Sequence, residues 1–197
     1  MDQIGSGGVA MSIRLISRLH EHRRWVNQRL LESVQMLSEA ERVQVFAIGQ
    51  GSIWQSMLHL YAAEYVWLEA LEGDENPLVP GDLRGEIPGN QKGAGAIQTF
   101  SELKQKWGAL DQRWMHYLEQ LTEASLDEVI KKRSSSSGKG RVHQTKRSDV
   151  LLHVCTHAHY TTAQVVNMLR QVGATSLPDS MLITLARTEM AALADQD

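Results

Sequence analysis

The sequence predicts an all-α protein built as a four-helix bundle. Apolar residues recur at helical spacing in four separate stretches, and the glycines and prolines gather between them. No internal repeat and no apolar run of membrane-spanning length interrupts that order. In the first stretch Ile16, Leu19, Val26, Leu30, Val34 and Leu37 fall three, four or seven apart and share one helix face. Position 23 would continue the series but is Arg23. The second stretch, Ser52 to Glu72, carries Ile53, Met57, Leu60, Tyr61, Leu68 and Leu71, with Glu64 inside the stripe. The third is the most regular: Phe100, Leu103, Trp107, Leu110, Trp114, Tyr117 and Leu121 alternate steps of three and four. The fourth, Ser148 to Val172, places Val150, Val154, His157, Thr161, Val165, Met168 and Val172 together, and Gly173 follows as a helix-ending residue. A short helix over about 179–193 is expected to pack outside.

The connections carry as much information. Residues 73–95 hold three of the four prolines and several glycines. A segment that long without a helical pattern should wrap the surface or shape a site. Between the third and fourth stretches, SSSSGKG cannot be helical. Its flanks, Val129 to Arg133 and Arg141 to Arg147, are expected to pair as a short hairpin. This hairpin is basic: Lys131 to Arg147 holds seven of the twenty Lys and Arg residues and no Asp or Glu. It reads as a solvated ribbon or, more sharply, as a contact for an anion or a partner. It lacks the aromatic residues that would argue for single-stranded nucleic acid.

Composition bounds the rest. A length of 197 residues suits one domain over 12–197, preceded by a Gly-rich tail over 1–11 that is expected to be flexible. Met11 is an alternative start. The single cysteine excludes an intramolecular disulfide framework. A net charge of −3 gives no support to a general nucleic-acid binder. With no membrane span and no apolar signal core, the expected location is the cytoplasm.

Three of the eight histidines, His153, His157 and His159, crowd into Leu151 to Tyr160. His153 and His157 lie four apart, one helical turn from each other on one side, a spacing that suits two imidazoles on one metal ion. His159 lies roughly 200° round the helix from His157 and should face elsewhere. A third ligand must come from another helix, and His59 is the only histidine on the second. The blander reading is a core histidine at 157 bonded to Glu64, which also breaks an apolar stripe. Glu64 could equally support a ligand from behind. His20, His22, His116 and His143 read as ordinary polar positions. Trp107 and Trp114 read as core, whereas Trp25, Trp54 and Trp67 could line a pocket. Cys155 reads as a packed thiol.

Three segments in order resemble the DinB/YfiT-like proteins, a bacterial family of four-helix metalloenzymes. They are EHRRWVNQRLLESV, GSIWQSMLHLYAAEYVWLEALEG and LLHVCTHAHYTTAQVVNMLRQVG. The resemblance covers roughly residues 12–185 and implies an up-down-down-up bundle. It also implies a divalent ion, zinc or nickel in class, on three histidines: one on the second helix and two on the last at i and i+4. By position these are His59, His157 and Thr161. Threonine is a poor ligand for such ions, so the implied set is incomplete. Three arrangements follow: a metal-free remnant with His59 bonded to His157, a shifted set of His59, His153 and His157, or a missing ligand supplied by water and a carboxylate. Thr161, Glu64 and Tyr160 are placed beside the site. The resemblance implies metal-dependent transferase, isomerase or hydrolase-type chemistry with a small-molecule or low-molecular-weight thiol substrate, and a homodimer. The alternative is a non-catalytic binding or structural protein that has lost its metal. No nucleic-acid or membrane partner is expected, and no catalytic residue is assigned.

Overall fold

The computed structural model describes residues 7–135 and 140–195. Among these residues there are seven helices and one two-stranded sheet. Four helices are long: α1 (Gly7–Gln35), α3 (Ile53–Leu71), α4 (Phe100–Glu119) and α6 (Arg147–Gln171). They match the four periodic stretches. Helix α6 lies along both α1 and α3, and α4 touches the same two helices. The core between them includes Leu30, Met57, Leu60, Leu103, Trp107, Leu151 and Met168, each essentially without solvent exposure. Among the described residues no helix is long and apolar enough to cross a membrane.

The helix ends follow from local chemistry. Ser52 caps α3 by accepting from the Gln55 amide at 3.1 Å, and Thr99 caps α4 by accepting from Glu102 at 3.1 Å. At the end of α6, Gly173 takes φ 73°. Its amide donates to the Arg170 carbonyl while Ala174 donates to Leu169, which is the Schellman arrangement. Gly73, at φ 110°, ends α3 in the same way, with Asp74 donating to Glu69.

The structure adds detail to these expectations. Helix α1 extends back to Gly7, into the stretch read as a flexible tail; residues 1–6 lie outside the described ones. Two short helices, α2 (Glu39–Val43) and α5 (Glu123–Leu126), lack apolar stripes long enough to read. Their caps were the available signal: Ser38 with Glu41, and Thr122 with Ser125, each form a capping box. The outer helix α7 spans Leu182–Ala194 and meets α1 through Arg18, which bonds Glu189 at 2.9 Å. The hairpin pairs β1 (Val129–Arg133) with β2 (Val142–Lys146), antiparallel, with Ile130 opposite Thr145 and Lys132 opposite His143. Residues 136–139, in its Ser-rich centre, lie outside the described ones.

Candidate metal centre

Helical spacing puts His153 and His157 one turn apart on α6, and the packing of α6 on α3 brings His59 to them. The His59 and His157 ring centroids are 5.2 Å apart, and those of His153 and His157 are 5.7 Å apart. All three line one cavity of about 540 Å³. Two imidazoles on a tetrahedral ion, with each nitrogen about 2.0–2.1 Å from the metal, have ring centres roughly 5 Å apart. Both separations are close to that value. Among the described residues no three His, Cys, Asp or Glu side chains already stand at ligand spacing. Convergence on one ion therefore requires the imidazoles to turn about their side-chain bonds.

The long loop between α3 and α4 fixes one of these rings. The Pro88 carbonyl accepts from His59 Nδ1 at 2.9 Å. In the neutral ring that contact puts the proton on Nδ1 and leaves the Nε2 lone pair free, as a metal-ligating histidine requires. The loop comes this close because residue 89 is glycine. A Cβ there would stand 2.7 Å from both N and Cα of His59, and the backbone is at φ 87°. Asp82 holds the same turn by accepting from the amides of Gly89 at 2.7 Å and Gln91 at 2.9 Å.

Electrostatics favour the neutral form of His153 and His157. Burial, with His59 and His153 beside it, pushes the His157 imidazole down to about 4. Burial, and then the Lys132 ammonium, lowers His153. A neutral imidazole is the form that binds metal.

The hairpin closes the cavity. Side chains two apart on a strand share a face, so the register puts Ile130, Lys132, His143 and Thr145 together, and all four line the cavity. His143 was read as an ordinary polar position. Strand alternation across the paired flanks was the signal that could have placed it here. Trp67 also lines the cavity, with its ring 5.2 Å from that of His153.

Other site expectations fall elsewhere. Glu64 does not pair with His157. Its carboxylate, 1% exposed, forms an ion pair with Arg23 and accepts from Asn27 at 2.7 Å and from Trp107 at 3.2 Å. The two charges that break the first and second stripes are thus each other's partners. Thr161 is buried on α6 but does not line the cavity. Tyr160 is exposed and does not line it either. His20 is not a surface residue: it is buried, bonds the Leu151 carbonyl at 3.1 Å and packs on Trp114. His159 faces away from the cluster, towards His22 at 6.4 Å, in a separate cavity of about 360 Å³ that Cys155 also lines. Burial pushes the Cys155 thiol up to about 12.

Comparison with known proteins gives consistent matches. The DinB family model matches residues 11–192. Protein DinB of Bacillus subtilis strain 168 is 26% identical over 176 residues, covering 88% of this chain and 96% of that relative. A solved DinB-like protein of Bacillus cereus ATCC 10987 superposes with a TM-score of 0.55 at 14% identity, covering 79% of this chain and 91% of that one. A conserved protein of Enterococcus faecalis gives a TM-score of 0.54 at 18% identity, covering 84% and 97%.

Proposed function

Because this chain belongs to the DinB family, we propose that it holds one divalent metal ion on His59, His153 and His157. The long helices α1, α3, α4 and α6 are read as the four-helix, up-down-down-up bundle of that family. The contacts of α6 and of α4 with both α1 and α3 support that reading.

The observation that carries the metal assignment is the spacing of the three rings, 5.2 and 5.7 Å around one cavity. His153 takes the role that Thr161 cannot fill, because it lies one turn from His157 on the other side along α6. Pro88 orients His59, and burial keeps His157 neutral. A bound ion with an open position would supply Lewis-acid activation of a water or thiol. The protein's own part is to present the imidazoles, to exclude bulk water with the hairpin and the 73–99 loop, and to hold the substrate between them. The family resemblance points to transfer or isomerisation aided by a low-molecular-weight thiol.

Protein purified without a metal-affinity tag and stripped with chelator tests the assignment. Zinc titration against a competing chelator should give one site per chain, and His59→Ala, His153→Ala and His157→Ala should each weaken it at least tenfold. Failure to load zinc, nickel or manganese would reject the centre in favour of a non-catalytic binding protein. Unchanged affinity in His153→Ala would reject the shifted ligand set.

A further inference from the structure

The hairpin wall of the histidine cavity carries a charge that no carboxylate among the described residues balances. Lys132 is half-buried there, with its Nζ 4.9 Å from the Trp67 ring centroid. It donates to the Arg133 carbonyl at 3.3 Å. The neighbouring Lys131 reaches Glu75 at 3.9 Å, but among the described residues Lys132 has no carboxylate partner. No Asp or Glu lines the cavity among those residues. Glu86, at an adjoining opening, pairs with Lys92 at 2.6 Å. Burial lowers the Lys132 ammonium, and its charge is felt at His153.

A partly desolvated cation without a counter-ion is costly, and the indole face offsets only part of that cost. A divalent ion on three neutral imidazoles would add two positive charges to the same cavity. The occupant must therefore bring negative charge. We infer that the cavity takes a small anionic molecule whose carboxylate or phosphate oxygens sit on Lys132 beside Trp67, while its other end reaches His153 and His157. Trp67 lies between the two ends, 5.2 Å from the His153 ring on one side and under Lys132 on the other. The volume suits a metabolite-sized ligand. The orientation rests on the metal reading; the anion contact stands on Lys132 alone.

Calorimetric titration of metal-free protein at low ionic strength tests the anion contact. The probes are succinate and inorganic phosphate in separate arms, with dimethyl succinate as the neutral control. At least one anion should bind saturably, dimethyl succinate should not, and Lys132→Met should weaken the anion about tenfold. Methionine keeps an apolar stem over Trp67, and an unchanged melting temperature will show that the variant is folded. The arm that binds identifies the anion. No binding by either anion, equal binding by the ester, or equal binding by Lys132→Met overturns the proposal. Zinc affinity is measured on the same two proteins. If zinc fails to bind but Lys132→Met still loses the anion, only the metal reading falls. If zinc binds and the variant keeps the anion, only this inference falls.

Discussion

Replacing Glu64 with glutamine tests whether this carboxylate serves the core or the histidine cavity. The substitution keeps size and shape but removes the charge that faces Arg23. Both side chains are almost fully buried, and the Arg23 guanidinium also lies 4.8 Å over the Trp114 ring. An uncompensated buried guanidinium costs about 3–5 kcal/mol. The two remaining donors use different oxygens, Asn27 on Oε1 and Trp107 on Oε2. A glutamine has one oxygen, so one donor would face an NH2 group, adding about 1 kcal/mol. The total, about 4–6 kcal/mol, is a large share of the roughly 5–15 kcal/mol that holds a domain folded. Urea unfolding followed by far-UV circular dichroism should therefore show Glu64→Gln close to unfolding in buffer. The double variant Arg23→Met/Glu64→Leu should be more stable than Glu64→Gln, because apolar groups of similar volume replace the charged pair, but less stable than the parent, because Asn27 and Trp107 lose their acceptor. A loss under about 1 kcal/mol would refute the buried-pair account. So would a stable variant whose zinc affinity falls tenfold or more, since that would place Glu64 behind a metal ligand.

The other predictions address the loop, a buried acid and the thiol. Gly89→Ala should push the loop off α3 and release the Pro88 carbonyl from His59, weakening zinc binding about tenfold or more; unchanged affinity by chelator competition would show that the contact does not orient the ring. Burial first, and Glu64 second, push the Asp111 carboxyl up from 3.8 to about 7. The folded chain thus keeps a proton that the unfolded chain loses, so stability should fall as pH rises from about 4 to about 7 and level off above. Asp111→Asn should remove that fall, worth at most about 4 kcal/mol, and parallel stability–pH curves for the two proteins would contradict the assignment. Cys155, pushed up to about 12, should react with Ellman's reagent at pH 8 far more slowly than the urea-unfolded chain; equal rates would mean the thiol is open to solvent.

What the sequence could reveal follows from which features are periodic. Helical stripes repeat over many turns, so α3, α4, α6 and all of α1 but its start were legible to within a few residues, and so was the His153–His157 pair within one of them. The interruptions at Arg23 and Glu64 were equally visible. Their pairing with each other was not, because partner choice depends on how α1 and α3 slide along one another, which no single stripe encodes. Thr161 and Tyr160 are a different case, since neither lines the cavity. Sequence position put them beside the site, but a helix turns about 100° per residue, and the cavity opens toward His153 and His157 rather than further along α6.

The groups that finish the cavity come from segments with no long repeat. Pro88 and Gly89 act through one turn held by Asp82, which accepts from Gly89 and Gln91 of the same loop. Lys132 and His143 belong to five-residue strands, too short for alternation to fix which face is buried until their pairing is known. Helices thus supply the imidazoles, whose spacing any reader can count, and aperiodic segments supply what orients and charges them. Substrate selection in this fold should accordingly track changes in the hairpin and the 73–99 loop rather than in the helices. Exchanging Lys132 should chiefly change which anions bind, whereas exchanging His153 should chiefly weaken the metal.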